Sequence, residues 1–400
     1  MNIESKYDVI IAGGGLSGLS LAWYLAKGGY KGEVLVVDSV FAPANDKTWC
    51  FWTNQEPPFK EVIYKKWKKT WVSVLDYSTF RYLNEYSYYC IRSGDFKEYV
   101  LRELQKHKNF SLLEENILDF SSNSSKAVLL TKNGDSYLGN YIFQSALPPK
   151  DLDPKDIKYP LIQHFLGWEI KTYEPAFDPE TFTIMDFDSE FKPGVGFMYV
   201  LPYTQQIALL EFTVFSEEPI DKKQYKKKIK HYLYHQFGLD KEHYEITRKE
   251  YGEIPMEDRP YLPYYDTNII NLGAVGGQTK PSTGYTFLRV QDYTSQLAQN
   301  LIQGFDPLPP KQSKFKYRYY DLLLLHILSN STDESLRFFK SLFKKNKFDE
   351  IFRFLGEETN FRQDLKIMTS VPYMPFFKAI LKNLVVRPSA RPRINDEDLL

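Results

Sequence analysis

Apolar residues fall in short runs and period-two alternations over the first two thirds of the chain, and at helical spacing in its last quarter. Tyr7-Asp8-Val9-Ile10-Ile11-Ala12 has the mostly apolar character of a buried parallel strand, and Leu19 to Lys27 continues at helical period. A second strand, Val34-Leu35-Val36-Val37, ends at Asp38. Ile91-Arg92-Ser93-Gly94-Asp95-Phe96 leads into a helical pattern through Tyr99, Val100, Leu101 and Leu104, and Asn133-Gly134 predicts a hairpin. Strands are predicted over 167–173, 181–186, 196–203 and 206–215, and a basic helix over 222–238. Residues 268–274 form a further buried-strand signal. Gly276-Gly277 then opens a loop through Pro281-Ser282-Thr283-Gly284, and a helix follows from near Tyr285 to about Leu301. Pro307-Leu308-Pro309-Pro310 cannot continue a helix and reads as a stiff linker to a C-terminal segment rich in Phe, Tyr, Leu, Lys and Arg.

Between the first two strands, Gly13-Gly14-Gly15-Leu16-Ser17-Gly18 supplies the spacing G-x-G-x-x-G. Each glycine has its own reason: Gly13 permits the tight turn, Gly15 lets the backbone approach a pyrophosphate, and Gly18 lets helix and strand pack closely. The helix N-terminus offers unpaired N–H groups to the phosphates, and Asp38, twenty residues beyond Gly18, is placed to accept the ribose hydroxyls. The unit predicts a dinucleotide site. A late strand carrying Gly273, then Gly276, Gly277, Thr283 and Gly284 before a helix, is the order by which many flavoproteins return to the first domain, so this loop is expected to close over a flavin. Arg92, before its helix, is a candidate for a phosphate or merely a surface residue.

The expected fold is α/β: a Rossmann-type FAD-binding flavoprotein with an interleaved β-rich substrate lobe and a helical C-terminal segment. Residues 1–150 are assigned to FAD binding, 151–255 to the substrate lobe, 256–305 to the return into the FAD-binding domain, and 306–400 to the C-terminal segment. Four hundred residues exceed what one core usually supports. Lys+Arg and Asp+Glu both number 51, so no net field recruits nucleic acid. Cys50 and Cys90 fit reduced thiols in a cytoplasmic protein, and with the histidines they form no metal-type spacing. Apolar runs such as 197–201 and 322–325 are far short of the roughly 20 residues that span a bilayer.

One polar residue interrupts the strand at 206–215. Period-two alternation puts Glu211 on the face of Ile207, Leu209 and Phe215, while Leu210, Phe212 and Val214 occupy the other, so a carboxyl intrudes into a strand apolar on both faces. Unpaired buried carboxyls are costly and tend to mark sites; the alternative is a snorkelling or arginine-paired side chain.

Asp46-Lys47-Thr48-Trp49-Cys50-Phe51-Trp52 behind the N-terminal fingerprint, Leu210-Glu211-Phe212-Thr213, Gly252-Glu253-Ile254-Pro255-Met256, and Gly273-Ala274-Val275-Gly276-Gly277 followed by Pro281-Ser282-Thr283-Gly284-Tyr285 together resemble the lycopene β-cyclases, over nearly the whole chain. The resemblance implies a flavoprotein that binds reduced FAD, with NAD(P)H as electron source. It would take lycopene and related linear carotenoids from the membrane and close their ψ-ends to β-ionone rings, giving β-carotene via γ-carotene without net redox change. It also implies a cytoplasmic protein held peripherally at the cytoplasmic membrane. Such an isomerase or intramolecular lyase needs a carboxylic acid in an apolar cavity, a role the resemblance gives to Glu211, with Glu253 and Asp258, read as lying in a loop, as secondary acids or salt-bridge partners. Trp49, Phe51 and Trp52 are candidates for packing around flavin or cavity, or for ordinary core. Ala274 stands where many flavin oxidoreductases place Asp for the ribitol chain. The competing readings are an FAD-dependent reductase or hydroxylase acting on an isoprenoid, and a prenyl-lipid carrier on the same fold. Leu336, Phe338, Phe339, Leu342 and Phe343, interleaved with Arg337, Lys340, Lys344, Lys345 and Lys347, suit either a lipid headgroup layer or a helix packed on the substrate lobe.

Overall fold

The computed structural model describes residues 3–148, 157–310 and 313–383; the boundary expected at 150/151 and the stretch 384–400 lie outside them. The chain opens with β1 (Ile3–Ala12), α1 (Leu16–Lys27) and β2 (Val34–Asp38). It then makes β3 (Thr48–Thr53), β4 (Lys65–Trp67), β5 (Lys69–Val74), β6 (Tyr77–Tyr82), β7 (Ser87–Arg92), α2 (Ser93–Leu104), β8 (Phe110–Glu114), β9 (Ile117–Ser122), β10 (Ala127–Thr131) and β11 (Ser136–Gln144). The middle of the chain supplies β12 (Leu161–Thr172), β13 (Thr181–Asp188), β14 (Val195–Pro202), β15 (Ile207–Ser216), α3 (Lys222–Phe237) and β16 (Tyr244–Met256). The chain returns through β17 (Tyr264–Asp266), β18 (Ile269–Asn271) and α4 (Phe287–Ile302) to five helices: α5 (Phe315–Asn330), α6 (Thr332–Lys345), α7 (Phe348–Leu355), α8 (Phe361–Ser370) and α9 (Tyr373–Lys382).

Two sheets organise the core. In the first, β8, β2, β1, β11 and β18 run parallel in that order, and the inner strand β2 and the second half of β1 are apolar on both faces because both are covered. Val9, Ile11, Val34 and Val36 pack toward α1, α2 and α4, while Ile10, Ala12, Leu35 and Val37 fill the opposite face with Phe120 and Leu129 of β9 and β10. The hairpin predicted at Asn133-Gly134 joins β10 to β11.

The second sheet has the order β16-β12-β15-β14-β13-β5-β6, antiparallel except between β13 and β5. One face, through Leu166, Trp168, Leu210, Phe212 and Val214, packs on Tyr225, Ile229 and Leu233 of α3. The other, through Leu161, Phe197, Leu209 and Phe215, packs toward Phe338, Phe339, Leu342 and Phe343 of α6 and Phe348 and Phe352 of α7. A small sheet, β3-β7-β4, bridges the two layers.

Three expectations change. Residues 69–82, assigned to the nucleotide-binding part, pair instead with the second sheet. β12 begins six residues before the strand predicted there, because Leu161 to Leu166 already alternate against β15 and β16. Glu253 stands on β16, not in a loop: the exposed, charged edge of β16 hid its strand pattern.

Candidate active site

A single cavity of about 880 Å³ runs from the glycine turn, along the inner face of the second sheet, to the C-terminal helices. At its first end the fingerprint glycines behave as their positions require. Gly13 takes φ +115°, outside the range open to other residues, and a Cβ on Gly18 would lie 1.9 Å from the Gly13 carbonyl, so that contact between helix and strand needs glycine. A Cβ on Gly15 would meet nothing within 4 Å, since this backbone borders open cavity at the α1 N-terminus. The Asp38 carboxylate accepts from the Gly14 N–H at 2.5 Å and also faces the cavity. Gly273, at φ +66°, packs on Ser17, and Gly273, Ala274, Thr283 and Gly284 line the same wall, where the buried Thr283 hydroxyl has no protein partner. An open cradle over a helix N-terminus, a carboxylate at ribose distance in sequence and an orphaned hydroxyl fit a dinucleotide.

Farther in, alternation across the sheet sets the geometry. Glu250 of β16, Gly167 of β12, Glu211 of β15 and Tyr199 of β14 are mutually paired in register, and so lie in one row on one face. Gly167 is the gap in that row: a Cβ there would stand 2.9 Å from Glu211 Cγ and 3.1 Å from Glu250 Cγ. With no Cβ there, the two carboxyls come close enough over the strand between them for Glu250 to act on Glu211. Both are buried. Glu250 is anchored on its far side by an ion pair with Arg248, and the Thr48 hydroxyl donates to it at 3.0 Å. Arg248 in turn donates to Glu169 at 3.2 Å, to the Asn45 carbonyl at 3.1 Å and to Thr48 at 3.0 Å. Burial would lower its proton affinity, but Glu250 and Glu169 more than offset this and hold it charged. Burial first, then the adjacent Glu250, pushes the Glu211 carboxyl well above the ordinary glutamate range, which favours its neutral form.

Aromatic hydroxyls and faces surround this pair. Tyr88 shares its hydroxyl with Tyr199 and Tyr285, both at 2.8 Å, and burial raises the pKa of all three, keeping them neutral. Cys50 and Cys90 face each other across β3 and β7 as free thiols, and burial lifts that of Cys50. Beyond Glu211 the walls turn apolar: Phe197 and Phe215 from the sheet, Phe338, Phe339, Leu342 and Phe343 from α6, Phe348 and Phe352 from α7, and Met368, Val371 and Phe376 beyond. The amphipathic α6 thus turns its apolar face inward, against the substrate lobe.

Of the residues expected at the site, Glu211, Asp38, Gly15, Trp49, Gly273, Thr283 and Gly284 line one cavity; Trp49 lies edge-on to Phe96 at 5.4 Å, and Trp52 stacks on Phe352 at 4.6 Å. Others serve elsewhere. The Asp258 carboxylate, outside the cavity wall, accepts from the backbone N–H groups of Lys158 and Tyr159 at 2.9 and 2.8 Å. Glu253 also borders the cavity, as an exposed side chain that accepts from the Tyr251 hydroxyl at 2.5 Å. Arg92 donates to Asp95 at 2.7 Å and lies over the Tyr64 ring at 3.8 Å. Gly276 and Gly277 stand behind the wall, Gly277 at φ +73° against Tyr261. Glu250, Arg248, Gly167 and Tyr199 were not singled out in the sequence. The alternation Arg248-x-Glu250 on a strand is their one local signal, and their meeting with Glu211 depends on register. Among the described residues no group of His, Cys, Asp or Glu could hold a metal ion, and no helix is long and apolar enough to cross a membrane.

The parallel sheet, glycine turn and second sheet over a common cavity define a flavoprotein-type fold. Solved structures share it at low identity. A geranylgeranyl bacteriochlorophyll reductase-like protein from Thermoplasma acidophilum superposes with TM-score 0.63 and 15% identity, over 95% of this chain and 100% of that one. A flavin-dependent brominase gives 0.60 and 13%, over 94% and 99%, and a flavoprotein/dehydrogenase from Cytophaga hutchinsonii 0.58 and 11%, over 95% and 99%. A family model described as lycopene cyclase protein matches residues 8–381, and the chain belongs to that family. The chloroplastic neoxanthin synthases of Solanum tuberosum and Solanum lycopersicum are each 23% identical over 319 residues, covering 75% of this chain and 61% of theirs, so the chain spans less than two thirds of those relatives' length.

If the cradle takes a dinucleotide, Gly15→Val fills the open space beside the α1 N-terminus. FAD affinity, read from flavin absorbance and quenching on titration, is expected to fall at least about tenfold with the fold intact by circular dichroism. Undiminished binding would contradict this assignment.

Proposed function

We propose that the protein is a lycopene β-cyclase: an isomerase that closes the ψ-ends of lycopene or a related linear carotenoid to β-ionone rings. The observation that carries the reading is Glu211, a neutral carboxylic acid buried midway along a cavity that joins a dinucleotide cradle to an apolar tunnel. Burial that keeps this carboxyl protonated makes it a proton donor where no water competes. The Glu211 proton passes to the terminal double bond; the tertiary cation is attacked by the neighbouring alkene, forming the ring bond. A proton then leaves the ring, so the formula is unchanged. Gly13, Gly15, Gly18, Asp38, Gly273, Thr283 and Gly284 would hold FAD, and its reduced form, supplied with electrons by NAD(P)H, would add negative charge near the cation. The rings of Trp52, Tyr88, Tyr199 and Phe352 supply further cation–π attraction.

The substrate is lipid-soluble, and the outer face of α8 and α9 supports a membrane source for it. Phe361, Leu365, Tyr373, Met374, Phe377 and Leu381 are exposed there beside Arg362 and Lys382 and beside Lys366 and Lys378, which pair with Glu350 and Glu334, while the one acidic side chain of these helices, Asp364, is buried. Ile367, Met368 and Phe376 from the same helices wall the apolar end of the cavity. Such a face suits an anionic bilayer surface, in this reading on the cytoplasmic side.

Glu211→Gln is expected to keep FAD and lose about 10²–10⁴-fold in turnover, measured as pigment formed by the reduced holoenzyme or in a bacterial host that accumulates lycopene. Because the reaction needs the protonated acid, wild-type activity should persist through neutral pH and fall only as pH rises past the elevated Glu211 pKa. An active Glu211→Gln enzyme, or nicotinamide oxidised one for one with product, would overturn the reading in favour of another acid or of an oxidoreductase. For the lipid face, the double substitution Tyr373→Ser with Phe377→Ser should weaken co-flotation with phosphatidylglycerol vesicles about tenfold while leaving flavin absorbance unchanged. Unchanged flotation would remove α8 and α9 from this role.

A further inference from the structure

We propose that Glu250 is the positioning partner of Glu211, the two carboxyls sharing one proton across Gly167, and that this pair both lends the proton for ring closure and recovers it afterwards. The inference rests on the proposed cyclase reading and adds to it a second residue.

Four observations converge. The register puts Glu250 and Glu211 in one row with glycine between them, and any side chain at Gly167 would part them. Both carboxyls line the cavity and both are buried. Glu250 is committed through one carboxylate oxygen to Arg248 and Thr48, which leaves its other oxygen for Glu211. Arg248 also carries Glu169, so the cluster of Arg248, Glu169, Glu250 and Glu211 holds a single cation against three carboxyls. Two adjacent buried anions beside one guanidinium are unfavourable, which keeps one proton in the cluster.

The step balances. The Glu211 O–H bond breaks as a C–H bond forms at the alkene terminus, leaving two neighbouring carboxylates. The ring bond forms from the alkene electron pair. A ring C–H bond then breaks, its electrons close the new double bond, and its proton returns to the pair. No oxidant or reductant is consumed. The other groups facing the pair are Thr48 and Cys50 from β3, Cys90 and Tyr88 from β7, Tyr199 from β14, Tyr203 after it, and Tyr285 from the loop before α4. Burial holds Cys50, Tyr88, Tyr199, Tyr203 and Tyr285 neutral, leaving Glu250 as the nearest fixed negative charge.

The test is the pH profile of ring closure by the reduced holoenzyme in wild type, Glu250→Gln and Gly167→Ala. Glutamine keeps a hydrogen-bond acceptor for Glu211 but removes the charge that resists its ionisation. The alkaline fall in activity should therefore move down by at least about one pH unit with FAD still bound. Gly167→Ala keeps every ionisable group and spreads the pair, and the same downward shift is expected. Should Glu250→Gln fail to fold beside Arg248, Gly167→Ala alone decides. A wild-type profile in the folded variants would overturn the pairing while leaving Glu211 as the acid, provided Glu211→Gln is inactive; an active Glu211→Gln enzyme would remove the cyclase reading itself.

Discussion

A carboxylic acid that stays protonated inside an apolar cavity is the constraint on which this site depends. Placing an ionisable group out of water is costly, and the neutral form is the cheapest way to do it. Here the cost is met by geometry that excludes other outcomes: Glu211 is walled by aromatic residues on its own face, and its nearest basic group, Arg248, is already engaged by Glu250 and Glu169. A free arginine at that position would turn the same carboxyl into an ordinary salt bridge with no proton to give.

The architecture serves that arrangement. The parallel sheet brings a helix N-terminus and a glycine cradle to one end of the cavity; the antiparallel sheet supplies a flat face on which a row of four strands can bring residues 250, 167, 211 and 199 together. α3 seals the back of that sheet, and α5 to α9 cover its front, so the cavity is long, narrow and apolar beyond the acid. A buried ion cluster ties this helical cover to the loop beside the cradle: Lys280 pairs with Asp321 of α5 and with Glu357 after α7, and Ser282 donates to Asp321 at 2.5 Å. Both ends of the cavity are thus fixed relative to each other by buried charge as well as by packing.

Much of this was legible along the chain because the strongest local signals are also the most local structures. The glycine turn, its flanking strands and α1, the hairpin at Asn133-Gly134, α3 with its Gly238 cap and the alternation that singles out Glu211 each depend on residues within about twenty positions of one another. What lay out of reach depends on register or crossover. That β5 and β6 join the second sheet is fixed by a parallel pairing to β13, more than a hundred residues away. Glu250 was hidden in an edge strand whose charged outer residues mask its period, and its partner across Gly167 is set by two ladders that no local pattern encodes. The apolar stripe of α6 was visible, but only tertiary packing decides that it faces the cavity while α8 and α9 face outward.

The most direct test of a proton lent by a buried acid is to pre-equilibrate the reduced holoenzyme in heavy water, run a single turnover with enzyme in excess, and weigh the product. The account predicts that the first ring closed carries one deuterium from the acid and that the product is otherwise an isomer of its precursor. Product lacking solvent deuterium, or product heavier by added hydride as well as a proton, would contradict it.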